Sequence, residues 1–183
     1  MDKNIEIEFK SAITEKKYLE LLKKFDLENN IFKQINYYFD TDDYRFNQEK
    51  IVVRIRQKGE SRFKVTMKIQ NDESASENHV FLQKEQALEM IEKGFNTKDF
   101  FKGIDAYVTY KVDLNNFRVS TPYEGGTLFL DKCQYCNVTD YEIEYETYDY
   151  SVGKTIFETF LKSHDIKIKP TKRKSERAFT CKR

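Results

Sequence analysis

Two glutamate pairs are the residues in this sequence best suited to chemistry. Glu6 and Glu8 lie near the N-terminus, Glu142 and Glu144 near the other end, with Glu146 in phase. Spacing by two puts both carboxylates of a pair on one face of a strand. Crowded carboxylates repel and raise one another's pKa unless a cation lies between them. A hard divalent cation with oxygen ligands, Mg2+ or Mn2+, is the usual partner, often shared with substrate phosphate. Basic residues follow the same parity: Arg54 with Arg56, and Arg62, Lys64 and Lys68. Arginine forks pair bidentately with phosphate oxygens, and lysine supplies a point charge. The two signs together point to metal-assisted phosphate chemistry.

These residues need strands to hold them. Ile5, Ile7 and Phe9 alternate with Glu6, Glu8 and Lys10; Ile51, Val53 and Ile55 with Val52, Arg54 and Arg56. Phe63, Val65, Met67 and Ile69 alternate with Arg62, Lys64, Thr66, Lys68 and Gln70; Tyr141, Ile143 and Tyr145 with Glu142, Glu144 and Glu146. Period two predicts strands with one apolar and one charged face. A face that merely meets water mixes its polar residues and pairs opposite charges across strands. Here the signs are segregated strand by strand.

Further strands are predicted over Phe32 to Asp40, Lys50 to Gln57, Arg62 to Gln70, Tyr107 to Leu114, Phe117 to Ser120, Thr127 to Lys132, Tyr141 to Tyr148 and Glu176 to Cys181. Lys58 to Ser61 reads as a hairpin loop and Asn71 to Asn78 as a polar loop. Helices are predicted over Thr14 to Phe25, with Thr14 as N-cap, over Glu85 to Lys93 ending at Gly94, and over Val152 to Lys162. The last of these places Val152, Ile156, Phe157, Phe160 and Leu161 on one face. The fold class is α+β, dominated by antiparallel sheet with a few covering helices.

Composition narrows the class further. At 183 residues the chain suits a single domain, and no Ser/Gly/Pro linker divides it. Hydrophobic residues are 39% and charged residues 34%, but 12 Tyr and 15 Phe argue for a packed core. No run of apolar residues is long enough to span a membrane, and the start lacks the apolar stretch of a secretion signal. Cys133, Cys136 and Cys181 make an odd count, so a reduced, cytoplasmic protein without disulfides is expected. Cys133 and Cys136 lack the further ligands of a zinc site. A net charge of +1 gives no whole-molecule attraction to nucleic acid, so an anion site must come from local clustering.

The ordered set of motifs resembles the CYTH family, also called triphosphate tunnel metalloenzymes. Glu6-Ile7-Glu8-Phe9-Lys10 matches its N-terminal ExExK signature. Tyr38-Phe39-Asp40-Thr41, Val53-Arg54-Ile55-Arg56 and Val65-Thr66-Met67-Lys68 are similar to its YFDT, LRIR and LTLK segments. Phe117-Arg118, Leu130-Asp131, the stretch Asp140 to Glu146 and the basic stretch Lys172 to Arg177 follow in the family's order. The resemblance covers nearly the whole chain and is nearest to the stand-alone CYTH proteins of Gram-positive bacteria. It implies an eight-stranded antiparallel tunnel, a closed barrel with a charged lumen and helices packed outside.

The resemblance also implies roles. Glu6, Glu8 and Glu144 look like metal ligands with catalytic roles, followed by Glu142, Glu146 and Asp131. Lys10, Arg54, Arg56, Lys68 and Arg118 look like phosphate ligands, with Lys10 also near the chemistry. Lys64 and, from the C-terminal stretch, Lys172, Lys174 and Arg177 are further candidates. The implied activity is Mg2+- or Mn2+-dependent hydrolysis of a triphosphate, inorganic or organic, with release of phosphate. A class IV adenylate cyclase, making cyclic AMP and diphosphate, uses the same scaffold. A non-catalytic polyphosphate or nucleotide binder is the third reading, though an anion binder gains nothing from added carboxylates. The expected partner is a small-molecule triphosphate or polyphosphate rather than a membrane or a nucleic acid. The sequence leaves the oligomeric state open, a homodimer included.

Overall fold

The alternation seen in the sequence becomes an inside-out sheet, apolar on its outer face and charged within. The computed structural model describes residues 4–70 and 75–181, and the backbone alone of residues 4–6, 70 and 75. The strands are β1 (Asn4–Ile13), β2 (Phe32–Asp40), β3 (Ile51–Lys58), β4 (Arg62–Gln70), β5 (Ala75–Leu82), β6 (Phe95–Asn96), β7 (Tyr107–Tyr123), β8 (Gly126–Tyr135) and β9 (Val138–Thr147). They form one antiparallel sheet in the order β2-β3-β4-β5-β1-β9-β8-β7-β6, and β2 pairs in addition with β7. The helices are α1 (Glu15–Lys24), α2 (Arg45–Gln48), α3 (Lys84–Lys93), α4 (Tyr150–Ser163) and α5 (Lys174–Thr180). The architecture is α+β, and among the described residues no helix is long and apolar enough to cross a membrane.

Helices cover the apolar face. Tyr18, Leu21 and Leu22 of α1 and Phe157, Phe160 and Leu161 of α4 pack with Val119, Leu128, Leu130, Ile143 and Tyr145 of the sheet. Ala87 and Met90 of α3 pack with Val53, Ile55, Val65 and Met67. Local signals set the helix ends. Thr14 caps α1 by accepting from the Lys17 amide at 3.2 Å, and Asp149 caps α4 by accepting from the Val152 amide at 2.8 Å. Gly153 lets α4 approach the sheet, since a Cβ there would meet Thr147 Cγ2 at 2.3 Å. Val152, expected on the buried face of this helix, is instead 55% exposed. Asp40 shapes the turn after β2, accepting from the amides of Thr41 at 2.8 Å and of Phe46 and Asn47 at 3.0 Å.

Four expectations are corrected. The strand expected over Glu176 to Cys181 is the helix α5. Ser175, Ala178 and Phe179 are buried at helical spacing, and Glu176 accepts from the Arg173 amide at 3.0 Å. The loop expected over Asn71 to Asn78 is strand from Ala75 onward, with residues 71–74 outside the described residues. Pairing of Ser76, Glu77 and Asn78 with Ile69, Lys68 and Met67 overrides their weak strand preference. The two strands expected between Tyr107 and Ser120 are one strand of 17 residues, because Asn115 and Asn116 pair with β2 on one side and β8 on the other. The absence of disulfides does not hold either: Cys136 and Cys181 are bonded, tying the β8–β9 turn to the end of α5, while Cys133 stays a buried thiol. Their separation of 45 residues hides the pairing from the sequence.

Candidate active site

The in-facing residues surround a cavity of about 360 Å³. Among the described residues, nine cations and four carboxylates line it, so a nearly neutral chain carries a strongly positive interior. Strand register explains the grouping. Glu8 stands opposite Glu146 and Lys10 opposite Glu144 on the β1–β9 side, whereas Arg56 stands opposite Lys64 on the β3–β4 side.

The acidic side is deeply buried and paired. Asp131, Glu142 and Glu144 are 0%, 1% and 4% exposed. Arg118 grips Asp131 with both fork nitrogens, at 2.7 and 2.6 Å, and also reaches Glu144. Lys174, brought in by α5, touches all three carboxylates, with Nζ 2.9 Å from Asp131 and 2.5 Å from Glu144. Arg177 donates to Glu142 at 2.5 Å and lies 3.3 Å from Asp140. Burial opposes the charges of Lys174 and Arg118, but the carboxylates outweigh it and hold both pKa values above their ordinary range. Glu144 titrates low because Lys174 and Arg118 overcome its burial; Glu142 titrates high, chiefly from burial and also from Glu144.

The basic side shares fewer buried carboxylates among the described residues. Glu77 is its one buried carboxylate among the described residues; it pairs with Arg54 at 3.3 Å and Lys64 at 3.8 Å. Burial, with Arg54 and Arg118 nearby, pulls the Arg56 guanidinium down from its ordinary value to about 9. Arg56 donates to Asn36 Oδ1 at 2.8 Å, a neutral acceptor. Lys68 lies 3.9 Å and Lys10 3.5 Å from Glu8, bridging toward the acidic side.

Most of the expected site residues therefore share one space: Glu8, Lys10, Arg54, Arg56, Lys64, Lys68, Arg118, Glu144, Glu146 and Lys174 all line the cavity. Asp131, Glu142 and Arg177 stand behind that lining, in the buried ion network. The Glu6 side chain lies outside the described residues, although its backbone pairs with Ala75. Lys172 is exposed and off the cavity; its carbonyl accepts from Arg177 at 3.2 Å. Arg173, beside it, lines the cavity instead. Sequence reasoning missed Glu77, placed in an expected loop, as well as Lys58 and Gln34. Parity would have found the last two, since Lys58 continues the Arg54, Arg56 face.

Two groups of three carboxylates converge with ligand oxygens within 4.8 Å of one another: Glu8, Glu144 and Glu146, and Asp131, Glu142 and Glu144. The second group already surrounds the Lys174 ammonium. The first offers an all-oxygen donor set open to the cavity, which fits Mg2+ or Mn2+ and not a soft thiophilic ion.

Known proteins are similar to this chain in sequence and in fold. "Putative triphosphatase YjbK" of Bacillus subtilis is 32% identical over 193 residues, covering 100% of this chain and 98% of that one. A crystal structure described as a "putative adenylate cyclase (bh2851)" from Bacillus halodurans superposes with a TM-score of 0.87 at 28% identity, over 98% of this chain and 100% of that one. The Hippeastrum protein HpAC1, described as a "putative adenylyl cyclase" with a dominant triphosphatase activity, shares the fold with a TM-score of 0.67 at 18% identity, over 97% of this chain and 95% of that one. The motifs that resembled one family in the sequence line one cavity in the fold, and the CYTH domain model matches residues 4–179. By that match and by its likeness to YjbK, this chain belongs to the CYTH domain family.

Proposed function

We propose that the chain is a divalent-metal-dependent hydrolase of triphosphate-containing substrates that releases phosphate. The observation that carries this reading is the pairing, in one cavity, of a converging carboxylate trio with a wall of cations. The name of the relative, "Putative triphosphatase YjbK", points the same way. Arg54, Arg56, Lys64 and Lys68 would hold phosphoryl oxygens and orient the chain of phosphates, the main need in phosphoryl transfer. Lys10 lies between the two sides and would stabilise charge on the group being transferred. Glu8, Glu144 and Glu146 would hold Mg2+ or Mn2+, whose chemistry there is Lewis-acid neutralisation of phosphoryl charge. Asp131 and Glu142 act in this reading as the anchors of Lys174 and Arg177. No serine, cysteine or histidine nucleophile is required.

The reading includes a single domain over residues 1–183 and an eight-stranded tunnel, supported by the added β2–β7 pairing and the in-facing charges. The likeness to the Bacillus halodurans protein favours a second reading, adenylate cyclase. There the ribose 3′ oxygen attacks the α-phosphorus and diphosphate leaves. A screen of tripolyphosphate, thiamine triphosphate, ATP and GTP with each metal separates the readings by product. Phosphate supports the hydrolase and cyclic AMP the cyclase. Binding without any product would leave only a polyphosphate-binding protein.

A further inference from the structure

Next to Arg118, the β2–β7 side of the cavity carries buried side-chain amides. Gln34, Asn36 and Asn116 are 2%, 0% and 1% exposed, and the amide nitrogen of each has no hydrogen-bond partner among the described residues. Gln34 pairs in register with Asn116 on β7 and with Lys58 on β3, and it lines the cavity. Asn36 is two residues on, with its oxygen held by Arg56 Nε, so its amide nitrogen is turned away from that arginine. A buried donor without an acceptor is costly, and native proteins rarely keep several together without a reason. An apolar residue of similar shape would serve packing better at each position.

We propose that Gln34, supported by Asn36 and Asn116, is a phosphoryl-oxygen binding group of this cavity, a neutral donor set that completes the cationic wall of Arg54 and Arg56. This rests on the triphosphate reading and adds the residues that would seat one end of the polyanion. A phosphoryl oxygen is an acceptor with several lone pairs, so it answers amide donors that the protein leaves unmatched. Neutral donors also add hydrogen bonds without adding to the repulsion already present between Arg54 and Arg56.

The test is calorimetric titration of the full-length protein with tripolyphosphate and metal, beside thermal unfolding of the ligand-free protein. Gln34→Leu should weaken binding about 10- to 100-fold, the loss of one hydrogen bond to a charged acceptor. Its ligand-free Tm should equal or exceed that of the wild type, because an unmatched buried donor has been removed. Gln34→Glu, nearly isosteric and beside Lys58, should weaken binding further, and it decides the matter if Gln34→Leu does not fold. Wild type that binds tripolyphosphate no better than either folded variant overturns the proposal alone. So does a variant that loses Tm while keeping its affinity, the mark of a structural role. Wild type that neither binds tripolyphosphate nor releases phosphate from it overturns the functional reading, and the proposal with it.

Discussion

The Asp131–Glu142–Glu144 cluster and the Arg54–Arg56–Lys64 wall share one interior, yet they meet the cost of buried charge in opposite ways. Desolvating an ion costs several kcal/mol, and a partner must offset it. On the acidic side the fold supplies those partners itself: Arg118, Lys174 and Arg177 match the carboxylates within hydrogen-bond reach. On the basic side Glu77 is the one buried carboxylate among the described residues, and burial, with Arg54 and Arg118 nearby, pulls Arg56 down to about 9. The contrast teaches that the acidic cluster is held by three cations from β7 and the C-terminal helix region, whereas Arg54 and Lys64 share the single carboxylate of Glu77. Under the proposed function, the phosphates of the substrate would meet the second group.

Single substitutions can break or sharpen this contrast. The largest effect is expected at the junction of the two sides: Glu8→Gln should lower metal-dependent phosphate release by at least about 100-fold. Activity at the wild-type level would remove Glu8 from the proposed metal site. Next, Lys174→Met should destabilise the fold by about 3–5 kcal/mol, since it takes from three buried carboxylates the one cation they share. Urea unfolding measures this, and an unchanged midpoint would show that the acidic side does not depend on α5 for compensation. Opening the Cys136–Cys181 bond by Cys136→Ser should cost about 2–4 kcal/mol, because the disulfide closes a long loop and fastens the helix that carries Lys174.

On the basic side the sign reverses. Arg56→Met should leave the ligand-free protein as stable as wild type or more so, while weakening tripolyphosphate binding about 10- to 100-fold. A large loss of Tm without a change in affinity would erase the distinction between the two sides. The smallest expected effect is one of pH. Arg56 in the fold titrates near 9, below its ordinary 12.5, so the unfolded chain binds more protons between those values. Ligand-free stability should therefore gain from Arg56 as pH rises through that window, a gain absent in Arg56→Met. Tripolyphosphate favours the charged guanidinium, so its affinity should fall a few-fold as pH passes about 9, measurable by titration at pH 8 and 10.

Much of the charged lumen was legible because strand parity is local. Glu8 with Lys10, Arg54 with Arg56, and Glu144 with Glu146 needed only alternation with apolar neighbours to be placed on common faces. Glu77 was lost because its neighbours Asn78 and Ser76 read as loop; pairing with β4 on one side and β1 on the other makes that segment a strand. The C-terminal stretch from Glu176 to Cys181 was misread as a strand. Burial of Ala178 and Phe179 against Tyr38, Val112 and Cys133, with Ser175 also buried, selects the helix, and those contacts are distant in sequence.

Residue order alone thus determined that this chain builds two-faced strands, with acids on some and bases on others, because side-chain direction in a strand depends only on position along it. It could not say which charges would be matched inside the fold. That depends on what folding brings across the cavity: α5 delivers Lys174 into the acidic cluster and delivers no carboxylate to Arg56. Coulomb interactions act through space rather than along the chain, so the pairing of these charges emerged only when distant strands and the last helix were set side by side.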